Sequence, residues 1–295
     1  MNQPLFDTRH VRRAFARAAA GYDAAARLQH EVEARLLESL AFHEATPATV
    51  LDVGCGPGRA SAALQEHWPK ARVLALDLAL PMLRAARRTA GGWRPFARRP
   101  QPLCADVRAL PFAGSSVDVV FSNLCVQWVE DLPALFAELR RVLRPGGLLL
   151  LSTFGPETLQ ELREAFAQAD AAPHVSPFAD IARFGDALMH AGFRDPVLDR
   201  DVLATHYPDL AALMRELRAI GATNALATRR HTLTGRSRFA AAAAAYETLR
   251  TGAGLPATWE VITAMAWAPQ EGQPIREGGM DVARISASRI PVRRR

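Results

Sequence analysis

Three carboxylates and three glycines are spaced along residues 52–106 in a way that suits nucleoside binding. Val50-Leu51-Asp52-Val53 runs into Gly54-Cys55-Gly56-Pro57-Gly58, with glycine at every second position. A short apolar run closed by an acid reads as a buried parallel strand. Glycines without Cβ let a ligand press against backbone. The turn opens a helix over residues 59–67, whose N-terminal N–H groups suit an anionic or polar ligand. Asp77 follows Asp52 by 25 residues and ends a second apolar run, Ala71-Arg72-Val73-Leu74-Ala75-Leu76. An acid there can accept both hydrogen bonds of a ribose diol; its alternative role is a helix N-cap. Leu78 and Pro81-Met82-Leu83 can cover one face of an adenine. Asp106, after a third strand over 101–104, can accept from an adenine amino group while the Val107 backbone meets the ring. Its alternative is an acid that shapes a turn.

Several elements must position these groups. Residues 1–45 read as amphipathic helix, with Arg12, Arg13 and Arg17 on one side and Val32, Leu36, Leu37 and Leu40 on a packed face. Residues 46–153 are expected to hold five alternating strand–helix units, hence a parallel sheet with helices on both faces. The fourth strand covers 117–123, and Arg141-Val142-Leu143-Arg144-Pro145-Gly146-Gly147 turns a helix into a strand over 148–153. Helices are expected over 156–168 and 181–190, and strands over 196–204 and 258–267. Two helices between those strands form an insertion at about 208–250, the second over 238–250. From residue 271 Gly, Pro and Arg dominate, which predicts a poorly ordered basic tail. The N-terminal segment and the insertion can both reach the carboxyl edge of the sheet, where ligands bind in open α/β folds.

A dinucleotide-binding dehydrogenase needs glycine at the first, third and sixth positions of its turn. Counted from Gly54 the sixth is Arg59, which would crowd the pyrophosphate. The spacing of Gly54, Gly56 and Gly58 instead resembles the class I S-adenosylmethionine-dependent methyltransferases, over about residues 48–153. Three further segments narrow the resemblance: Phe15-Ala16-Arg17-Ala18-Ala19-Ala20-Gly21-Tyr22-Asp23, Asn123-Leu124-Cys125-Val126-Gln127-Trp128 and Ile220-Gly221-Ala222-Thr223-Asn224. Together they are similar to the carboxyl methyltransferase family of biotin synthesis that acts on malonyl-acyl-carrier protein, over about residues 10–267. The segment beyond shows no counterpart. The resemblance implies a Rossmann-like, mostly parallel seven-stranded sheet with a helical lid, and S-adenosylmethionine as methyl donor without a metal. The implied partner is an acyl-carrier protein bearing a malonyl group. The runner-up is a methyltransferase acting on another small carboxylic acid or a quinone precursor.

With the family named, roles can be assigned. The cofactor set is Asp52, Gly54, Cys55, Gly56, Gly58, Asp77, Leu78, Met82, Asp106, Val107 and Asn123. Asp52 either orients the methionine amino group or supports the glycine turn. A carboxylate acceptor is ionised at pH 7 and needs no general base, so alignment and exclusion of water carry the catalysis. Tyr22, Asn123 and Arg230 are the expected catalytic residues. Tyr22 is a lid contact or a packed helix residue, Asn123 faces the sulfonium or is a structural cap, and Arg230, Arg229 or Arg17 supplies a cation for the acceptor or is a solvated surface charge. His174 is a further candidate. Gln127 and Trp128 line the acceptor slot or belong to the core. His206 and His231 have no nameable partner.

The bulk composition sets outer limits. The 295 residues are 49% hydrophobic, enough for a full core. No apolar stretch spans a bilayer and no leader is read, so a cytoplasmic monomer is expected. Cys55, Cys104 and Cys125 lack metal-ligand spacing, although Cys55 near a ligand could be reactive. The net charge is +6, with Arg84, Arg87, Arg88, Arg94, Arg98 and Arg99 around one loop. Arg284, Arg289, Arg293, Arg294 and Arg295 load the tail, read as a solvated end rather than a nucleic-acid contact. Basic surface also suits steering of an acidic carrier protein.

Overall fold

The computed structural model describes residues 4–43, 46–89, 98–230, 232, 234–273, 275–277 and 280–282. Arg94, His231 and the five tail arginines lie outside the described residues. The chain enters through α1 (Thr8–Ala18), α2 (Tyr22–Ala25) and α3 (Arg27–Glu38). Asp7 caps α1 by accepting from the His10 N–H at 3.0 Å. Then come β1 (Thr49–Val53), α4 (Arg59–His67), β2 (Arg72–Asp77), α5 (Leu80–Thr89), β3 (Gln101–Cys104) and β4 (Val117–Ser122). They are followed by α6 (Leu132–Val142), β5 (Leu143–Phe154), α7 (Gln160–Ala167), α8 (Ile181–His190) and β6 (Arg194–Tyr207). The insertion holds α9 (Leu210–Ala219) and α10 (Arg236–Glu247), and β7 (Leu255–Trp267) closes the sheet.

The sheet order is β3-β2-β1-β4-β5-β7-β6, with β7 antiparallel to both neighbours. Strands β1 and β4 are buried on both faces, as their unbroken apolar runs require. Leu51, Val120 and Leu149 pack under α6 and α8, whereas Val50, Phe121 and Leu150 pack under α3 and α4. Burying a ring such as Phe121 completely contributes roughly 1.5–3 kcal/mol. A third cluster, with Phe154, Leu162, Phe166, Leu213, Tyr246 and Trp259, lies between α7, α9, α10 and the antiparallel edge.

Some expectations need correction. No helix separates β3 from β4 among the described residues, so the alternation breaks there. That connection carries Pro111, Gly114 and a positive φ at Ser115, which favour turns. Strand β5 begins five residues before residue 148: Leu143 already pairs with Val117, across an irregularity. Helix α7 starts at Gln160 rather than 156, because Leu159 takes a left-handed φ of 54°. Beyond residue 271, Ile275–Glu277 and Met280–Val282 form an antiparallel hairpin where a poorly ordered tail was expected.

The N-terminal segment and the insertion are joined. Phe6 bridges Leu226, the Asp7 N–H donates to Ala225 O at 2.8 Å, and the Ala227 N–H donates to Leu5 O at 2.8 Å. No helix among the described residues is long and apolar enough to cross a membrane.

Candidate active site

The glycine turn sits at the carboxyl end of β1. Its Gly54 and Cys55 N–H groups donate to Leu76 O of β2 at 2.8 and 2.9 Å. All three glycines have positive φ: 71°, 51° and 83°. Their reasons for being glycine differ. A Cβ on Gly54 would lie 2.3 Å from Cys125 Sγ, and one on Gly58 would lie 2.7 Å from Ala86 Cβ of α5. A Cβ on Gly56 meets nothing within 4 Å, because it points into open space at the site.

That space is a cavity of about 110 Å³ lined by Gly54, Gly56, Asp77, Leu78, Met82, Asp106, Val107 and Asn123, eight of the expected cofactor residues. It is the candidate donor cavity. Asp77 Oδ2 accepts the Gly56 N–H at 3.0 Å, and its Oδ1 accepts the Ala79 N–H at 2.7 Å. The ribose role and the capping role are therefore compatible, since one carboxylate faces the cavity while shaping the turn into α5. Burial lifts its pKa to about 6 against those two donors. Asp106 is held by Arg108, whose guanidinium draws its pKa down.

The remaining three cofactor candidates stand elsewhere. Gly58 lies away from the donor cavity and serves the packing of α4 on α5. Asp52 and Cys55 line an adjoining cleft of about 30 Å³ with Tyr22, His30, Glu33 and Arg59. Ser61 donates to Asp52, and Arg59 Nε donates to Glu33 at 3.0 Å. Burial raises both carboxyls to about 7. It also raises the Cys55 thiol well above its ordinary value, so the expected reactivity of Cys55 is not supported.

A second cavity, of about 220 Å³, opens beside the first within the antiparallel-edge cluster. Phe15, Tyr22, Leu124 and Trp128 line both cavities and form the wall between them. Trp128 packs edge-to-face on Phe6 and Phe15, at centroid distances of 5.8 and 5.5 Å, which fixes the wall to α1. Tyr22 lines both cavities and the cleft. Burial, and then the nearby Asp77 charge, raise its pKa, so it remains a phenol. Asn123 is a brace: Oδ1 accepts from Ser152 Oγ at 2.7 Å and Nδ2 donates to Gln29 O at 2.9 Å.

Gln127 lines the second cavity; its Nε2 donates to Leu124 O at 2.7 Å, leaving a buried Oε1 without a protein partner among the described residues. His174 also lines it, stacked on Phe166 at 4.0 Å with Nε2 3.4 Å from Asp170 Oδ2. The expected cations do not line it. Arg230 is gripped by Asp170 at 2.9 Å, and Arg229 by Asp7 at 3.0 Å. Their charge is spent on fixing loops. Arg218 of α9 lines the cavity instead. Nothing in its residue type or helical pattern separates it from Arg215 of the same amphipathic helix. The only available signal was its place two residues before the Ile220–Asn224 segment. His206 is exposed on β6. Among the described residues, no group of three His, Cys, Asp or Glu is placed to hold a metal.

Residues 51–151 match the family model described as a methyltransferase domain. Among solved structures, the fold is similar to the YcgJ protein of Bacillus subtilis, with a TM-score of 0.58 and 15% identity over 82% of this chain and 99% of that one. It is also similar to Haemonchus contortus phosphoethanolamine N-methyltransferase 2, solved with S-adenosylhomocysteine, with a TM-score of 0.50 and 17% identity over 80% of this chain and 53% of that one. The malonyl-[acyl-carrier protein] O-methyltransferase of Xylella fastidiosa strain M23 is 60% identical over 99% of this chain and 98% of its own. This alignment runs into the tail, where no counterpart was expected. The enzyme of the same name from Gallionella capsiferriformans is 46% identical over 91% of this chain and 93% of its own. These likenesses set aside the dehydrogenase reading. The two full-length relatives, together with the glycine turn and the paired cavities, show that the chain belongs to the malonyl-[acyl-carrier protein] O-methyltransferase family.

Proposed function

We propose that this enzyme transfers a methyl group from S-adenosylmethionine to the free carboxylate of malonyl-acyl-carrier protein, giving its methyl ester for pimeloyl and biotin synthesis. The observation that carries this reading is the shared wall: a nucleoside-type cavity meets a largely apolar acceptor cavity at Tyr22, Phe15, Leu124 and Trp128. The relatives' name supplies the acceptor class.

The donor cavity fits the donor's nucleoside. Asp77 suits the ribose diol, Asp106 the adenine amino group, and Met82 and Leu78 the ring face. The open space at Gly56 lets backbone approach the ligand. In the adjoining cleft, Glu33 and Asp52 suit an ammonium and Arg59 a carboxylate, matching the methionine end. When bound there, S-adenosylmethionine supplies an activated methyl that a carboxylate oxygen takes by displacement, leaving S-adenosylhomocysteine, with no proton transferred.

This chain's residues align and dry that encounter. Tyr22, kept protonated, donates a hydrogen bond at the junction and cannot act as a base. Phe15 and Trp128 exclude water, which strips hydration from the acceptor carboxylate. Asn123 holds the ends of β4 and β5 to α3, so the wall stays in register. The N-terminal segment, tied to residues 225–227, closes over the donor cavity as a lid. Arg229 and Arg230 do not line the cavity and the exposed Arg218 stands at its solvent edge, so the donor's own positive charge attracts the reacting carboxylate.

The test is a mass-spectrometric assay with S-adenosylmethionine and malonyl-carrier protein, beside malonyl-coenzyme A, free malonate and acetyl-carrier protein. One added methyl on the malonyl carrier, absent from the acetyl carrier, is expected. No methyl on any malonyl acceptor would overturn the reading.

A further inference from the structure

Among the described residues, three guanidinium groups on α1 and α9 stand without carboxylate partners, and one of them, Arg218, lines the acceptor cavity. Arg218 lines that cavity yet is exposed, so it stands at the solvent edge. Arg13 and Arg17 lie four residues apart on the exposed side of α1, in one helical stripe with His10. The two helices meet closely: a Cβ on Gly221, three residues after Arg218, would lie 3.1 Å from Phe15 Cα. His10 Nε2 is 3.2 Å from Thr223 Oγ1, and Thr223 lines the cavity. Arg13 and Arg17 follow His10 on the same side of α1, the side that meets Thr223.

The acids on the neighbouring elements are engaged elsewhere. Asp7 holds Arg229, Glu216 accepts from Tyr207 at 2.8 Å, Asp209 faces Arg215, and Glu130 accepts the Leu5 N–H. Among the described residues, Arg13, Arg17 and Arg218 make no ion pair. A cluster of like charges without counter-ions is a surface that awaits an anion. Inward from it the walls are mostly apolar, with Met214, Leu217, Ile220, Phe166 and Phe178, interrupted by Gln127 and His174, up to the junction at Tyr22. The cavity therefore suits a ligand that reacts at one end, is largely uncharged along its length, and carries an anion at the other.

We propose that Arg13, Arg17 and Arg218 form a phosphate-binding rim for the pantetheine arm that bears the malonyl thioester. This rests on the malonyl-thioester reading above. Guanidinium forks suit phosphate oxygens, and three of them attract an anion of charge one or two. The same chemistry is presented by the carrier protein's phosphodiester and by coenzyme A.

The experiment compares malonyl-carrier protein, malonyl-coenzyme A and malonyl-pantetheine, which lacks the phosphate. The proteins are the wild type, Arg218→Met and the double variant Arg13→Ser with Arg17→Ser. Binding of 4′-phosphopantetheine and of pantetheine is measured by calorimetry on each, and retained S-adenosylhomocysteine binding shows that each variant is folded. Expected is a loss of about tenfold or more in kcat/KM, through KM, on the two phosphate-bearing substrates, with about a twofold change or less on malonyl-pantetheine. Phosphopantetheine binding weakens in parallel and pantetheine binding does not. A loss confined to the carrier protein, with coenzyme A spared and phosphopantetheine binding unchanged, overturns the rim in favour of a protein–protein contact. Equal losses on all three substrates overturn it in favour of Arg218 gripping the malonyl carboxylate. If no malonyl substrate is methylated, the function reading fails, and selective phosphopantetheine binding still decides the rim.

Discussion

Asp77 Oδ2 accepts the N–H of Gly56 at 3.0 Å, so the acid that faces the donor cavity also holds the turn that forms its floor. Replacing it by Ala removes the diol acceptor and loosens the turn together. Hydrogen bonds to charged groups contribute about 1.5–3 kcal/mol each, so S-adenosylhomocysteine should bind roughly ten- to a hundredfold more weakly. Asp77→Asn keeps an acceptor and should fall between. Titration calorimetry reads this, and unchanged affinity in Asp77→Ala would remove Asp77 from the site.

Gly56 and Gly58 should separate affinity from stability. A Cβ on Gly58 collides with Ala86, and its φ of 83° disfavours a side chain, so Gly58→Ala should lower stability by roughly 2–4 kcal/mol. A Cβ on Gly56 meets nothing in the protein, so Gly56→Ala pays only the backbone strain of about 1–2 kcal/mol but intrudes on the ligand. Thermal melts should rank Gly58→Ala as the less stable, while Gly56→Ala shows the larger loss of ligand affinity per unit of stability lost.

Donor binding should tighten with rising pH. Burial raises Glu33 and Asp52 to about 7 and Asp77 to about 6, whereas unfolded carboxyls titrate near 4. Their ionisation therefore opposes folding of the free enzyme: this stability contribution is full below about pH 4 and is lost as pH rises through 6 to 7. A ligand bearing an ammonium selects the ionised carboxylates and releases the protons they held. S-adenosylhomocysteine affinity should rise about tenfold or more between pH 5.5 and 8, then level off. Calorimetry in two buffers of different ionisation enthalpy should show proton release near pH 6.5; proton uptake there would refute the assignment.

Much of the donor side was legible in the sequence, because its signals are local. A strand end, a glycine turn and acids at later strand ends keep their spacing whatever packs around them. What the glycines are for was not local. Gly58 reads like Gly56 in sequence, but its reason is Ala86, 28 residues on. The acceptor side was harder. Arg229 and Arg230 look like free cations until Asp7 and Asp170 arrive from far along the chain. Arg218 is marked out by lining the cavity without an ion pair among the described residues, and only the folded arrangement shows that. The 220 Å³ cavity itself forms between α7, α9 and the antiparallel edge, whose helices carry ordinary amphipathic patterns.

Tyr22 should matter for turnover more than for donor affinity. Its ring lines both cavities, and its hydroxyl stays protonated across the working range. Tyr22→Phe keeps the ring and removes the donor at the junction. Loss of one positioned donor in a dry site lowers kcat by about ten- to a hundredfold, with S-adenosylhomocysteine binding within about threefold of wild type. A Tyr22→Phe enzyme with normal kcat would reduce Tyr22 to wall packing.

The Arg229–Asp7 pair should control how often the N-terminal segment opens. Arg229 is mostly buried, with 14% of its side chain exposed, and it also donates to Leu226 O at 2.9 Å. Asp7 meanwhile caps α1, so the pair fixes the start of a helix whose Thr8, Val11 and Phe15 line the donor cavity. Arg229→Met keeps the packing volume of the stem but removes these bonds. Losing about 1–2 kcal/mol locally should raise hydrogen exchange of residues 8–18 roughly five- to thirtyfold. The sheet, whose core contacts are untouched, should keep its exchange rates. Because opening exposes the donor cavity, S-adenosylhomocysteine should dissociate faster in proportion, with its association rate little changed. If exchange rises across the β1–β4 core as well, the pair supports the whole fold rather than the lid, and the local-opening account fails.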